Sequence, residues 1–512
     1  MSVLLLTILS LSSCRDDFET TPSTGNLEFS RDTVFLDTVF SNIGSSTYSL
    51  KVYNKSNSLI NIPTLGLERG EQSQYRLNVD GMGGKTFNNV EVLPRDSIFI
   101  FVETTLDANA FPSDSTSFLY TDAIRFDTGQ NEQQVELVTL VQDAIFLFPQ
   151  RNSEGIKETL SLGENTDGEE LLIEGYYLDD DQLTFTNEKP YVIYGYAGVP
   201  PERTLNIEAG ARIHFHENSG IIVAGNGSLH VNGSLSQDTL TMENEVIFEG
   251  DRLEPIYSDV PGQWGTIWLT AGSKNNLISH ATIKNATIGL LVDANAGNGN
   301  PTLNIDNSQI YNSSNIGLLA QTATINGENL VFNNSGISSL SLSLGGNYTF
   351  KHATIANYWE QGFRQAAALQ IDNFIPTETG AVAADLVQAN FINCIIAGNR
   401  SEEIELRALE EAAFNYKFTN CLIRFDDLFG DLTGTDFYDF EDNTKYSSVL
   451  INEEPGFKAP KNNDLRIGQE SPANGSALPA VAAEVSLDIL GTPRTIDPDM
   501  GAYESILFEE EM

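Results

Sequence analysis

The chain has 512 residues, of which 40% are hydrophobic, so it can form several domains and is too apolar to be intrinsically disordered. Its 71 acidic and 28 basic side chains give a net charge of −43, which disfavours DNA, RNA, anionic lipid heads and polyuronates as direct partners. Composition therefore favours contacts with a neutral glycan or with another protein.

The N-terminal segment predicts the subcellular localisation. Residues 1–13 form an uncharged apolar run that ends in Leu-Ser-Ser directly before Cys14. The run is too short to span ~30 Å of hydrocarbon as a helix and is typical of a secretory signal. This ending resembles the bacterial lipoprotein signal, which implies that Cys14 is lipidated and becomes the mature N-terminus. The following Asp16 and Asp17 resemble the signal that sends some Gram-negative lipoproteins to the outer face of the outer membrane.

One feature differs from the lipoprotein pattern, because no Lys or Arg precedes the apolar run. A frayed apolar N-terminus with a chance cysteine is the alternative interpretation of this segment.

Residues 29–148 predict an antiparallel β-sandwich, and residues 15–28 form a short polar tether before it. Short runs such as Tyr48–Tyr53 alternate between polar and apolar residues, and turn residues separate them. About seven runs in about 110 residues are typical of a sandwich. A Cys-Trp-Cys core is missing, but Val52–Ser56 and Leu93–Ser97 resemble the immunoglobulin-like modules of bacterial envelopes. That resemblance implies a spacer or binding module without catalytic residues.

Residues 201–455 repeat a short pattern that predicts a parallel β-helix, after a polar junction at residues 149–200. The aligned apolar residues of the repeats are Ile283, Ile310, Val331, Ile355, Ile396 and Ile423. Most steps are 21 to 27 residues, which fits one coil, and one step of 41 residues carries a loop excursion near Pro376. His280 and His352 share their repeat position with asparagines, which predicts a stacked turn column rather than catalytic histidines.

A family resemblance supports this fold. The segments Gln263–Trp268 and Ala281–Ala286 resemble the right-handed parallel β-helix lipoproteins of Gram-negative bacteria. Residues 456–512, with Pro498–Glu504, resemble the terminal module of such proteins, which is expected to cap the open end of the helix. The resemblance implies an all-β chain: an N-terminal antiparallel β-sandwich, then a right-handed, pectate-lyase-like parallel β-helix with a C-terminal cap. It implies little about activity, because this fold hosts lyases, hydrolases, adhesins and spacers.

The sequence assigns no catalytic residue. β-Helix lyases and hydrolases need a basic catalyst with calcium ligands or clustered aspartates, and no Asn-Thr-Asp, Gly-His-Gly or Arg-x-Lys motif is present. Asp426, Asp427 and Asp431 could hold Ca²⁺, but their loop lacks the ordered spacing of a calcium loop, and a solvated loop is the alternative. His214 and His216 could face a metal from one strand, but no third ligand is evident. We therefore expect no cofactor. Ca²⁺ is the one ion that the acidic loop could hold.

Aromatic side chains and cysteines give the remaining candidate residues. Five aromatic residues could stack on sugar rings, with buried packing or end-capping as the alternative. They are Tyr194, Tyr196, Trp264, Trp268 and Trp359. Cys394 and Cys421 occur in like repeat contexts, so we expect them on adjacent coils, either as a disulfide or as stacked thiols.

Two functions follow from these observations. The first is a monomeric, non-catalytic surface lipoprotein that reaches the membrane by its lipid anchor and binds a glycan or an envelope protein along the β-helix. The alternative is a polysaccharide lyase or glycoside hydrolase on the same scaffold. Ionisable residues that converge on one coil face would favour the enzyme, and a smooth polar face would favour the binding protein.

The predicted localisation can be tested directly on cells. We expect the full chain to incorporate labelled fatty acid through Cys14 and to fractionate with the outer membrane, and we expect Cys14→Ala to lose both properties. Equal labelling of the two proteins would contradict the lipoprotein interpretation. Resistance to protease on intact cells would contradict only the outward orientation.

Overall fold

The computed structural model describes residues 20–107, 116–164, 168–295, 297, 299–377, 380–494 and 496–508. The chain divides into two compact units, residues 1–144 and residues 145–512. Cys14 lies outside the described residues. Within the described ranges, no helix combines the length and the apolar character that crossing a bilayer requires.

The N-terminal unit is built from two β-sheets that share one hydrophobic core. One sheet contains Thr20–Pro22, Leu59–Leu67, Thr86–Val92, Ser117–Phe126, Gln133–Gln142 and Thr33–Phe40. The other contains Glu28–Phe29, Tyr48–Tyr53, Ser97–Thr104, Tyr75–Val79 and Met82–Gly84. Alternate residues such as Leu50, Ile100 and Ile124 are fully buried between the sheets, as expected when one face of each strand packs on the core.

The strand pairing of this unit differs in part from a purely antiparallel sandwich. Most pairs are antiparallel, but Thr33–Phe40 runs parallel to Gln133–Gln142 and Thr20–Pro22 runs parallel to Leu59–Leu67. Both of these strands lie at the two ends of the strand order of their sheet. The alternation of polar and apolar residues fixes the buried face of a strand but not its direction, so it could not reveal these parallel edges.

The second unit is a parallel β-helix with three strand ladders, which we call the first, second and third faces in the order that the chain follows within a coil. The first face contains Thr184–Phe185, Thr204–Glu208, Ser228–Asn232, Asn276–Ser279, Gly346–Lys351, Leu386–Ile392, Phe414–Thr419 and Tyr446–Ser447. The second contains Ile145–Leu147, Tyr191–Ile193, Arg212–Phe215, Val246–Gly250, Ala281–Lys284, Thr354–Asn357, Ile395–Gly398, Leu422–Ile423 and Leu450–Ile451.

Two long strands, Leu303–Ser313 and Thr324–Ser335, run through the first face and continue into the second. The third face contains Glu170–Tyr177, Tyr196–Val199, Gly220–Val223, Ile267–Leu269, Ile288–Val292, Ile316–Gln321, Ser338–Ser343, Leu369–Asp372 and Ile404–Arg407. Three antiparallel strand pairs complete the unit. Two are hairpins, Thr159–Glu164 with Glu170–Tyr177 and Phe374–Thr377 with Gly380–Ala383, and the third is Phe457–Ala459 with Asp464–Ile467 in the C-terminal residues. The short helices are Gly70–Gln72, Gly129–Asn131, Asp180–Gln182, Pro255–Tyr257, Pro460–Asn462 and Pro479–Ala482.

The register of the coils confirms the predicted apolar column except at one position. Ile283 pairs with Ile310, and Ile355 pairs with Ile396 as predicted. In the coil between them, however, Phe332 and not Val331 occupies the column. Both residues are apolar, so the pattern alone could not decide which one points inward. Val331 instead faces outward and packs against the C-terminal residues.

A column of left-handed residues turns the chain from the first face to the second in successive coils. Its members have φ between 46° and 57°, and they are His280, Asn307, Asn329, His352, Asn393, Asn420 and Ser448. Asn and His tolerate this conformation better than most residues. Side chains stack along the column: Asn329 Nδ2 donates to Asn307 Oδ1 at 2.9 Å, and Asn393 Nδ2 lies 2.9 Å from His352 Nε2. The histidines therefore belong to a turn column, as the sequence predicted.

Aromatic rings close the C-terminal end of the helix interior. Phe391 and Phe418 stack with their centroids 5.1 Å apart, and Phe418 stacks on Tyr446 of the last coil at 5.5 Å. The segment that precedes this coil packs Phe437 and Phe440 against the stack. The hydroxyls of Tyr416 and Tyr446 both donate to the carbonyl of Phe437.

The C-terminal residues 456–508 lie along the side of the coils, rather than across the open end where the sequence placed them. Ile467 and Met500 share an apolar cluster with Ile395 and Leu422, which point outward from the second face. The N–H of Gly501 donates to the carbonyl of Asn393 at 2.8 Å. Outward apolar residues on the second face need a cover, and this requirement explains the placement of the module.

The buried His352 predicts an acid-sensitive step in stability. Burial, followed by the nearby Arg494, lowers the pKa of His352 from 6.5 to about 3. Between pH 6.5 and about 3, the unfolded chain therefore binds a proton at this histidine that the folded chain does not bind. The free energy of unfolding falls as the pH drops below 6.5. We expect His352→Asn, which places the residue of the neighbouring coils at this turn, to remove a loss of up to about 2 kcal/mol between pH 6.5 and 5.

Urea unfolding at pH 7.5, 6.5 and 5.0 measures this difference, with His230→Asn on the outer surface as the matched control. The same pH slope in wild type and in His352→Asn would contradict the assignment.

Candidate functional site

The outer surface of the first face carries a polar groove of about 340 Å³ across three successive coils. Its lining includes two rows of outward side chains, because alternate residues such as Ile305 point into the core. One row is Asn304, Asn326 and Thr349, and the other is Asp306, Glu328 and Lys351. Parallel pairing in register sets the spacing within each row at ~4.8 Å.

The amide row offers paired hydrogen-bond donors and acceptors to the solvent. Asn326 Nδ2 donates to Asn304 Oδ1 at 3.0 Å, which orients both carboxamides along the row. The row continues to Asn390 beyond Thr349, and to the 40% exposed Leu277 before Asn304. A carboxamide can donate and accept at the same time, so this row matches ligands rich in hydroxyl groups.

The charged row already has partners within the protein. Lys351 Nζ lies 3.1 Å from Glu328 and 2.9 Å from Glu484 of the C-terminal residues. Although partial burial opposes the charge, these carboxylates raise the pKa of Lys351. Asp306 Oδ1 accepts hydrogen bonds from Ser279 Oγ at 2.6 Å and from Asn307 Nδ2 at 2.7 Å. With Asp306, Glu328 and Glu484 against the single ammonium of Lys351, the groove has a local excess of negative charge.

A second polar cluster, which we call the charged column, lies on the outer surface of the second face. It contains His214, Glu249, Lys284 and Tyr311, whose backbones are in register on successive coils. Lys284 Nζ lies 2.8 Å from Glu249 Oε2, and His214 Nδ1 lies 3.8 Å from Glu249 Oε1. Burial opposes ionisation of Glu249, but His214 and Lys284 lower the pKa of its carboxyl. Burial lowers the pKa of His214, so this histidine is neutral near pH 7.

Segments around the charged column restrict access to it. Asn285 Nδ2 donates to the carbonyl of Ser258 at 2.9 Å, and Asn312 Nδ2 donates to Asp259 Oδ1 at 3.1 Å, so the 251–262 segment is held along one side. Asn463 of the C-terminal residues donates to Asn312 Oδ1 at 3.2 Å. The column is thus an ion-paired contact between coils, and it offers less open surface than the groove.

The aromatic candidates do not form one sugar-stacking surface. Trp264 is buried and stacks on Phe215 at 4.3 Å, so it belongs to the core. Tyr196 is buried in a small apolar cluster. Trp268 is half-buried and donates to Asp293 Oδ2 at 2.6 Å.

The two remaining aromatic candidates are partly exposed and lie far apart along the chain. Tyr194 packs against His216 with the ring centroids 4.4 Å apart, and His216 Nδ1 lies 2.8 Å from Asp251. Trp359 is half-buried at another coil. Buried packing, the alternative that the sequence left open, therefore describes Trp264 and Tyr196.

The cysteines and the acidic loop both have structural surroundings. Cys394 and Cys421 are free, fully buried thiols on adjacent coils, since the residues that follow them pair with each other. Asp427 accepts hydrogen bonds from four backbone N–H groups of residues 430–433 at 2.8 to 3.2 Å. These bonds, that of Thr433 first, lower the pKa of Asp427 to about 2.

The expected metal candidates therefore do not converge. Asp427 uses its oxygens to hold its own loop, and Asp426 and Asp431 do not join it in a ligand group. Across the described parts of the chain, no set of three His, Cys, Asp or Glu residues is placed to hold a metal ion.

Comparisons with known proteins identify neither a family nor an activity. No family model and no curated sequence matches the chain. A GH87 α-1,3-glucanase catalytic unit from Streptomyces thermodiastaticus is 11% identical, with a TM-score of 0.23 over 73% of this chain and 83% of the glucanase chain. A complex of XylC with xylose is 8% identical, with a TM-score of 0.31 over 92% of this chain and 88% of that chain. A mutant of the periplasmic alginate epimerase AlgG is 8% identical, with a TM-score of 0.17 over 62% of this chain and 78% of that chain. Such low values assign no activity.

Sequence reasoning did not identify the groove residues as a site. Asn304, Asn326 and Thr349 are outward positions beside the aligned core column, and each alone reads as an ordinary solvent-facing residue. Their polar character repeats at one register position in successive coils, and this repetition could have identified them. To find it, the strand register of successive coils must be known, and the apolar column alone does not give that register.

The charged column makes a prediction about stability. Lys284→Met leaves the poorly exposed Glu249 carboxylate without its closest cation, and we expect a loss of about 3 kcal/mol in the free energy of unfolding at pH 7. The control Lys274→Met breaks the more exposed pair with Glu202, and we expect it to cost less than about 1 kcal/mol. Urea unfolding curves compare the two variants. Equal losses would contradict a buried, ion-paired column.

Proposed function

We propose that the chain is a non-catalytic surface lipoprotein whose β-helix binds a neutral glycan along the groove of the first face. The observation that carries this proposal is the row of Asn304, Asn326 and Thr349, held in register on three coils. Sugar hydroxyls both donate and accept hydrogen bonds, as carboxamides do. A linear polymer that lies along these three coils would meet one polar side chain of the row every ~4.8 Å.

The charges of the groove support a neutral rather than an anionic polymer. Glu328 and Glu484 flank Lys351, Asp306 adds a third carboxylate near the groove, and the whole chain carries a net charge of −43. A uronate polymer would bring further carboxylates into this field, and like charges at contact distance are unfavourable. A neutral glycan avoids this repulsion and still satisfies the polar rows.

The proposed localisation and the proposed glycan binding are consistent with each other. A lipid on Cys14 would anchor the chain in the outer membrane, and the N-terminal β-sandwich unit would serve as an immunoglobulin-like spacer without catalytic residues. The elongated β-helix would then present its groove to polysaccharide outside the cell. Because the polar positions extend over three coils, affinity would grow with glycan length up to the span of these coils.

A glycoside hydrolase is the second candidate, because two carboxylates converge in the groove. Asp306 and Glu328 occupy paired positions on adjacent coils, and hydrolases use two carboxylates on either side of the scissile bond. Three facts favour binding over hydrolysis. Glu328 is paired with Lys351, its side chain is 41% exposed, and Asp306 already accepts two hydrogen bonds. Catalytic acids are usually set in drier surroundings that keep them protonated.

Polymer binding tests the groove. We expect the full chain to bind at least one neutral polysaccharide from a panel of xylan, mannan, α-glucan and β-glucan, and to leave polygalacturonate and alginate unbound. Asn304→Ala combined with Asn326→Ala removes two to three hydrogen bonds, which should weaken binding roughly 30-fold. Affinity electrophoresis or calorimetry measures the change. Gln309→Ala, an outward amide on the second face, is the matched control and should bind as wild type.

The same assay separates the two candidate functions. New reducing ends that disappear in Asp306→Asn or in Glu328→Gln would establish the hydrolase. Binding that persists unchanged in the double Asn→Ala variant would move the glycan away from this groove.

A further inference from the structure

A larger cavity lies at the N-terminal end of the β-helix, away from the groove. It has a volume of about 600 Å³, within the range of small-molecule sites. Its walls come from the strand Ile145–Leu147, from the hairpin formed by Thr159–Glu164 and Glu170–Tyr177, and from the helix Asp180–Gln182. We call it the terminal cavity.

The terminal cavity combines apolar rings with polar groups. Phe148 and Tyr177 line it with 49% and 48% of their surfaces exposed. Large apolar rings left half in solvent at a concave site are unusual unless something covers them. The lining also holds the carboxylates of Glu158 and Asp179 and the amide of Gln182.

The hydroxyl of Tyr176 is the unsatisfied group of this site. Tyr176 lines the cavity, and its hydroxyl is buried without a hydrogen-bond partner among the described residues. A buried hydroxyl without a partner is unfavourable, so a native structure that keeps one calls for an explanation. Burial raises the pKa of Tyr176, and Glu158 and Asp179 add to this effect, so the group is a neutral donor close to both carboxylates.

The carboxylates of the cavity have partners of their own. Glu158 Oε2 accepts the N–H of Gln150 at 2.8 Å, and Asp179 caps the helix Asp180–Gln182 in a capping box. Neither is left as a bare charge that would demand a cation. Among its described lining residues the cavity has no Lys or Arg, so an anionic ligand would meet only repulsion.

We infer that the terminal cavity is a carbohydrate site that takes one unit of a neutral sugar. A pyranose presents an apolar C–H face to the rings of Phe148 and Tyr177, and such faces pack on aromatic side chains. Its hydroxyl or ring oxygen accepts the hydrogen bond that Tyr176 does not make with any described residue, and its other hydroxyls donate to Glu158 and Asp179. An ammonium ligand has no acceptor for the Tyr176 hydroxyl. This inference does not depend on the groove, because the two sites share no residue.

Saturation-transfer NMR and calorimetry on the purified full chain test the site. The probes are xylose, glucose, galactose and mannose, with glucuronate and choline as charged competitors. We expect saturable binding of at least one neutral sugar that neither competitor displaces. Tyr176→Phe removes only the hydroxyl and should weaken binding about tenfold, and Tyr177→Ala should weaken it further. Tyr358→Phe, at a half-buried tyrosine elsewhere on the rod, should bind as wild type.

Several outcomes would overturn the inference. They are a failure of all four neutral sugars to saturate, unchanged binding in both cavity variants, and preference for either charged probe. The apo Tyr176→Phe protein gives an independent readout, because loss of an unpartnered hydroxyl should not lower its unfolding midpoint. A lowered midpoint would show that the hydroxyl has a protein partner and would also overturn the inference.

The groove and the cavity fail separately. The Asn304→Ala, Asn326→Ala double variant should retain monosaccharide binding, and the Tyr176→Phe variant should retain polymer binding along the groove. If the wild-type chain binds monosaccharide but no polymer, the proposed function fails and the cavity inference stands. If it binds polymer but no monosaccharide, the reverse holds.

Discussion

The tight turn between the first and second faces is the constraint on which the rest of the β-helix depends. In the coils from His280 to Ser448 the chain bends between these faces at a single residue, and that residue is in the left-handed region. Asn307, Asn329 and Asn393 adopt φ of 46°, 51° and 57° there. Because their side chains also bond to the coil above or below, the turn fixes register as well as direction. Register in turn stacks the core residues into columns and aligns the outward residues into straight rows. The groove is a consequence of this alignment, since a slip of one residue would turn its amides into the core.

The parts of the fold that follow from repetition could be predicted from the sequence. Each Asn or His turn residue lies three residues before its apolar core residue, as in His352 and Ile355, so aligning these short segments finds both columns. Val331 shows where this reasoning ends, because two adjacent apolar residues satisfy the same pattern and only the packing of the C-terminal residues selects which one faces outward. The position of those C-terminal residues was equally hidden. Their motif indicates a cover, but the surface that needs covering is known only once the outward apolar side chains of the second face are placed.

The candidate sites were less predictable than the fold, for a physical reason. Aromatic residues attract attention as sugar contacts, yet Trp264 fills the interior beside Phe215, where its volume and its N–H to the carbonyl of Lys284 at 2.9 Å are both satisfied. The groove consists of small polar residues whose importance lies in their arrangement across coils. The terminal cavity depends on a hydroxyl without a partner among the described residues, which is a property of three-dimensional surroundings and has no signature in the order of residues.

The distribution of the few basic residues bears on the proposal that this chain binds a neutral glycan through hydrogen bonds. With 28 basic against 71 acidic side chains, cations are scarce. Several of them are committed to internal pairs: Arg364 with the fully buried Glu403, Arg494 with Glu504, and Lys284 with Glu249. Such pairs offset the desolvation of carboxylates that the outer surfaces of the coils bury. Lys351 likewise serves Glu328 and Glu484 and is not available to a ligand carboxylate. Cations that stabilise the acidic β-helix itself are not free to bind an anionic polymer, and under the proposed function the amide and hydroxyl rows supply the contacts to a neutral glycan.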